Sequence, residues 1–97
     1  MTPEAKVKAQ IKKVLDTTHA YWFMPVTGGF GKAGVADFAV CINGHYVAIE
    51  AKAGKGKTTA LQDREAARVQ AAGGTALVIN ETNINELENV LNCIAHK

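Results

Sequence analysis

Apolar positions recur along this chain with two different periods, and the alternation between them outlines seven elements. Val7, Ile11, Val14 and Leu15 fall at helical spacing. Thr2 before them suits an N-cap, and Pro3 suits the first helical position, where its missing N–H costs nothing. Tyr21 to Thr27 is aromatic and β-branched enough for a strand, with Pro25 placing it at an edge or a strand end. Residues 37–42 and 45–52 read as two strands around Asn43-Gly44, a pair whose residues both accept positive φ. A second helix is predicted from Thr59 to Ala72, stopped by Gly73-Gly74. Thr75 to Asn80 is a short apolar strand. The last helix opens near Asn83, with Glu86 three residues on for a capping box and a stripe of Ile84, Leu87, Leu91 and Ile94.

The order α-β-β-β-α-β-α indicates an α/β sandwich with a mixed sheet. The 51–75 segment has the strand–helix–strand form of a parallel crossover. Residues 1–97 form one domain: there is no repeat, low-complexity tract or linker, and the length suits one modest core.

Composition removes several classes of function. No apolar run approaches the ~20 residues that span a bilayer, which excludes a membrane-spanning helix. The polar, Lys-bearing N-terminal segment lacks the apolar stretch of a signal peptide, so a cytoplasmic protein is expected. Cys41 and Cys93 lie in apolar periodic segments without metal-ligand spacing and read as buried free thiols. Net charge is only +2, yet it is unevenly placed. Residues 1–57 carry eight lysines against four acids, whereas residues 58–97 carry three cations against five acids. A basic half suits a phosphate-backbone partner.

The candidate chemistry lies in the hairpin. A two-residue turn at Asn43-Gly44 sets the register, so that Ile42 faces His45, Val40 faces Val47 and Asp37 faces Glu50. Directly opposed residues hold their β-carbons ~5 Å apart on one face. Lys52, two residues beyond Glu50, emerges on that face too. Facing carboxylates repel unless a cation sits between them. Mg²⁺ or Mn²⁺ suits such a place, with Asp37, Glu50 and the backbone carbonyl of Ala51 as oxygen ligands. Two carboxylates and an amine around a divalent cation are equipment for hydrolysing a phosphodiester. Beside two carboxylates, Lys52 is expected to stay charged and act electrostatically.

These residues resemble the PD-(D/E)xK nuclease superfamily and, within it, the viral-type replication-repair nuclease (VRR-Nuc) domain. The likeness covers most of the chain. It includes an N-terminal helix with an acid (Glu4), Gly34-Val35-Ala36-Asp37 for the family's Gly-x-Pro-Asp, and Ile49-Glu50-Ala51-Lys52. Gln62 on the following helix and Gly73-Gly74 before an apolar strand complete it. Ala36 replaces the usual proline, a position that shapes backbone and contributes no ligand.

The resemblance implies a restriction-endonuclease-like αβββαβ core, with a mixed central sheet flanked by helices and a C-terminal helix added. It implies Asp37 and Glu50 as metal ligands, and Lys52 orienting or deprotonating the attacking water or stabilising charge on phosphorus. Gln62 would hold the site from its helix, and Glu4 could reach the metal or a second one. Both have structural readings as well. Thr59-Ala60-Leu61-Gln62 fits a capping box, and an acid in a first turn favours the helix dipole. The implied activity is that of a metal-dependent DNA endonuclease, structure-selective on branched DNA such as four-way (Holliday) junctions and acting as a homodimer. The alternatives are a nuclease for flaps, nicks or duplex, and a catalytically silent nucleic-acid-binding module of the same fold.

Two glycine strings imitate nucleotide sites. Gly29-Phe30-Gly31-Lys32-Ala33-Gly34 has dinucleotide-binding spacing but leads into a strand instead of a helix. Gly56-Lys57-Thr58 resembles the end of a Walker loop, but Ala51 stands where its first glycine is needed. No nucleotide cofactor is expected. Both loops suit DNA better: Lys32, Lys55 and Lys57 on Gly-rich backbone can follow phosphates, and Arg64 and Arg68, one helical turn apart, extend that surface. His45 reads as a turn residue, and Tyr21 and Trp22 as core or interface instead of base-stacking platforms.

Overall fold

The computed structural model describes residues 1–26 and 32–97. Its elements follow the expected order: α1 (Pro3–Asp16), β1 (Tyr21–Phe23), β2 (Phe38–Ile42), β3 (His45–Ala51), α2 (Ala60–Ala71), β4 (Thr75–Ile79) and α3 (Ile84–Ala95). The four strands form one mixed sheet in the order β1-β2-β3-β4. The first three run antiparallel, and β4 joins β3 in parallel after the α2 crossover. No helix among the described residues is long and apolar enough to cross a membrane.

The hairpin has the anticipated register, with Phe38 paired to Ile49 and Ile42 to His45. Asn43 and Gly44 have φ of 51° and 75°. Both are positive, as a type I′ turn demands, and that turn's twist matches the flanking strands. The Asn43 side chain also donates to the Ile94 carbonyl at 3.0 Å, tying the turn to the end of α3.

One face of the sheet is the hydrophobic core. Phe38, Val40 and Ile42 of β2 and Val47, Ile49 and Ala51 of β3 alternate onto it. They meet Val7, Ile11, Val14 and Leu15 of α1 and Leu87, Leu91 and Ile94 of α3. Each fully buried aliphatic or phenyl side chain there contributes roughly 1.5–3 kcal/mol. The opposite face is floored by Ala39, Ala48 and Ala76 and carries Glu50. It is overlaid by α2, which packs on β4 and has no fully buried side chain among the described residues. The acid and the amide of the candidate site therefore lie on the thinly covered side of the sheet.

Several local expectations are corrected. The strand expected over 21–27 ends at Phe23, since Pro25 offers no N–H to continue a ladder, and Thr27 lies outside the described residues. The capping box at Asn83 and Glu86 does not form. The Asn83 side chain instead accepts from Asn80 N–H at 2.7 Å and donates to the Val78 carbonyl at 3.0 Å, bracing the turn out of β4. Cys41 and Cys93 are exposed. Cys41 alternates away from the core between Val40 and Ile42, on the half of the sheet that α2 leaves uncovered. His45 opens β3, and its Nε2 lies 2.8 Å from Thr75 Oγ1, joining β3 to β4.

Candidate active site

Asp37 stands one residue before β2, and its carboxylate turns across to the end of β3, where Oδ2 accepts the Ala51 N–H at 2.8 Å. Within a strand, the N–H and C=O of one residue point to the same side. The Ala51 carbonyl consequently lies on Asp37's side of β3, while the next amide, Lys52 N–H, turns the other way to Ile79. Asp37 thus faces the Glu50-Ala51 segment as expected, but as a cap on the strand end, beyond the last ladder pair.

Glu50 is the single charged residue among the buried positions, at 8% exposure. Gln62 Nε2 donates to its Oε1 at 3.0 Å, and Lys52 Nζ lies 3.9 Å from the same oxygen. The other oxygen, Oε2, is buried without a hydrogen-bond partner among the described residues. Burial raises the Glu50 pKa to about 7, reinforced by the neighbouring Asp37 charge. The Lys52 ammonium opposes the rise, and Glu4 adds a little to it. An orphaned carboxylate oxygen next to a second carboxylate is a fitting place for a hard divalent cation.

Gln62 has both roles that its sequence position allows. Its backbone N–H donates to Thr59 Oγ1 at 3.2 Å, and its side-chain oxygen accepts Thr59 N–H at 2.9 Å, closing a capping box. The amide nitrogen is left for Glu50. Helix nucleation and carboxylate positioning are therefore one device.

Glu4 is about half exposed and close enough to the site for its charge to add to the Glu50 shift. Lys8, one helical turn on, lies 3.6 Å from both Glu4 Oε2 and Asp37 Oδ1. Asp37 and Glu50 are close enough for the charge of one to raise the pKa of the other. Lys8 was missed by sequence reasoning. Its signal was faint: it neighbours Val7 on the buried stripe, four residues after Glu4.

Above the carboxylates opens a cleft of about 480 Å³ between Lys8, Met24 and Pro25 on one side and Thr59, Leu61 and Gln62 on the other. The Lys32–Asp37 segment forms its floor, held close to α2 at Gly34. There φ is +81°, and a β-carbon would stand 2.4 Å from the Leu61 carbonyl oxygen. Only glycine permits that approach. Gly28, Gly29 and Gly31 lie outside the described residues.

The five DNA-binding candidates divide into two groups. Lys32, Arg64 and Arg68 converge on Glu65, at 3.0, 3.7 and 3.4 Å. Their cluster holds the Glu65 carboxyl below the usual range, the Lys32 hydrogen bond first. Lys55 and Lys57 are exposed on the loop between β3 and α2, beginning three residues past Lys52. That loop is anchored where Gly54 N–H donates to Glu81 Oε1 at 2.7 Å. No family model and no curated protein matches this chain.

Proposed function

We propose that this protein is a Mg²⁺- or Mn²⁺-dependent nuclease that hydrolyses phosphodiester bonds in DNA, with the restriction-endonuclease-like core of the VRR-Nuc family. The observation that carries the reading is the Glu50 carboxylate beside Asp37: buried, one oxygen fixed by Gln62 and Lys52, the other without a hydrogen-bond partner among the described residues. A purely structural buried acid would have both oxygens satisfied.

Asp37 and Glu50, with the Ala51 carbonyl, would hold the cation. A divalent ion bound there supplies Lewis acidity toward a phosphoryl oxygen and makes water a better nucleophile near neutral pH. Gln62 fixes which Glu50 oxygen stays available. The Ala51 N–H fixes Asp37 Oδ2, leaving Oδ1 toward Lys8. Lys52, largely shielded from solvent beside Glu50, offers a fixed positive charge for the negative charge that builds on the phosphoryl oxygens. Lys55 and Lys57 flank this end of β3 and suit backbone phosphates on either side of the scissile one. Preference for branched DNA such as four-way junctions, and action as a homodimer with two-fold-related sites, complete the proposal by resemblance to the family.

Labelled four-way junction, flap and duplex DNA incubated with Mg²⁺, Mn²⁺ or EDTA test it directly, with Lys52→Ala alongside. Cleavage is expected with either metal, abolished by EDTA and reduced by orders of magnitude in the variant. Cleavage that survives EDTA or the Lys52 change would sink the mechanism.

A further inference from the structure

The half of the sheet that α2 leaves uncovered is unusually aromatic. Tyr21, Phe23 and Tyr46 are exposed at 71%, 51% and 43%. The register puts them on one face: Tyr21 pairs with Cys41 and Cys41 with Tyr46, whereas Phe23 pairs with Ala39 and Ala39 with Ala48. Trp22, between the two β1 aromatics, turns the other way and packs on Phe38 at a ring separation of 5.9 Å. The exposed face is the one that carries Glu50, and Tyr46 is four residues up β3 from it, or ~13 Å along the strand. Between Tyr21 and Tyr46 stands only the small Cys41 side chain, two strand spacings or ~10 Å wide.

Charge beside this row favours a polyanion. Tyr46 shares a groove with Lys32, Arg68 and Val69. Lys32, Arg64 and Arg68 surround one acid, Glu65, so the cluster keeps a surplus of two positive charges after its internal pairing. A protein partner would need more apolar area. At these exposures the three rings, ~150–250 Å² each when whole, offer roughly 250–400 Å² in all, about half or less of the ~800 Å² per partner of a standard interface. Exposed aromatic rings with flanking cations on an open sheet are instead what unpaired bases recognise, because every base has a π-face to stack.

We infer that Tyr21, Phe23 and Tyr46 form a stacking subsite for unpaired nucleobases, with Lys32 and Arg68 holding the adjoining phosphates, on the same sheet face as the Asp37–Glu50 centre. This deepens the nuclease reading and rests on it for the nature of the partner. A strand stacked there would run along β2 and β3 toward the carboxylates, so the favoured substrate carries an unpaired stretch a few nucleotides from the scissile bond.

Binding of a dye-labelled oligothymidylate and of a fully paired duplex, each followed by fluorescence anisotropy in EDTA, separates stacking from catalysis. Tyr21→Ala and Tyr46→Ala are each expected to weaken oligothymidylate binding about tenfold, with duplex binding changed less than twofold. Tyr21→Phe and Tyr46→Phe keep the ring and should restore near-native affinity, which a loss of fold would not allow. Equal weakening on both DNAs, or no weakening on either, overturns the subsite. So does a change from dimer to monomer on a sizing column in Tyr21→Ala, which would make the face a contact between copies. A cleavage assay with Mg²⁺ keeps the two readings distinct. Stacking without cleavage leaves the subsite and removes the nuclease, whereas duplex cleavage with no aromatic effect does the reverse.

Discussion

Gln62 and Glu50 are joined by a 3.0 Å hydrogen bond from a side-chain amide whose oxygen is already committed to the Thr59 N–H. One residue thereby starts α2 and orients the central acid. The two duties can be separated by substitution. Gln62→Glu retains a capping-box acceptor but sets a third carboxylate against Glu50. Gln62→Ala loses both contacts. The alanine variant should lose about 1–2 kcal/mol of stability in urea denaturation, and the glutamate variant less than that at pH 5. Metal-dependent cleavage should fall in both. Full activity in Gln62→Glu would show that the amide's grip on Glu50 is dispensable.

Glu50 sets a pH dependence of opposite sign to that of an ion-paired acid. Its folded pKa, about 7, lies above the ordinary 4.5, so the folded state binds the extra proton between these values. Stability without metal should therefore be highest below pH 4.5 as far as this group is concerned, decline from pH 4.5 to 7, and level off above. Glu50→Gln should flatten that decline and raise the melting temperature at pH 8. Thermal melts across pH 4.5–8 in EDTA check it, and a wild-type curve that rises through this window from the Glu50 contribution contradicts the assignment.

If the proposed cation binds Glu50, it displaces the same proton. Mg²⁺ or Mn²⁺ affinity, read by calorimetry, should be nearly constant above pH 7 and weaken about tenfold per pH unit below it. A flat profile from pH 5.5 to 7 would mean that Glu50 is not a ligand.

Asp37 uses its two oxygens differently: Oδ2 accepts the Ala51 N–H, and Oδ1 lies toward Lys8 and would be left for the proposed metal. Asp37→Asn keeps an acceptor for the Ala51 N–H, so stability should change by less than about 1 kcal/mol, while metal affinity drops at least tenfold. Asp37→Ala strands that N–H and should cost about 1–3 kcal/mol in addition. Urea midpoints and calorimetric titration distinguish the two variants.

Gly34 tests how closely the site's floor must approach α2. Alanine there combines a positive φ with a collision against the Leu61 carbonyl. A loss of about 1–3 kcal/mol is expected, with metal-site function impaired through the shifted Asp37. Unchanged stability would show that the loop can move away freely.

Local rules carried much of this protein. The Asn43-Gly44 turn set the β2–β3 register because both residues take positive φ, and that register alone brings Asp37 near Glu50. Helical and alternating periods likewise marked each element, since side-chain burial on one face is a short-range pattern. Thr59 and Gln62 gave the start of α2 because a capping box spans only three residues.

Contacts between elements distant in sequence were decided by packing alone. Lys8 reaches Asp37 because α1 crosses the sheet beside it, a relation that no spacing in the chain encodes. Glu4 is linked to Asp37 through the same Lys8, which lies 3.6 Å from each carboxylate, again a product of how α1 packs. Both cysteines were read as buried from apolar neighbours, yet Cys41 sits on the half of the sheet face that α2 leaves uncovered, and Cys93 falls off the buried Leu87, Leu91 and Ile94 stripe of α3. That same coverage left Tyr21, Phe23 and Tyr46 exposed, and drove Glu50 into a site where one oxygen has no partner among the described residues. The order of elements, the hairpin register and the approach of Asp37 to the Glu50-Ala51 segment were legible in the chain alone, because all are products of local backbone chemistry. How deeply Glu50 is buried, and therefore its pKa, followed from the packed fold, because desolvation is the sum of everything around the carboxylate.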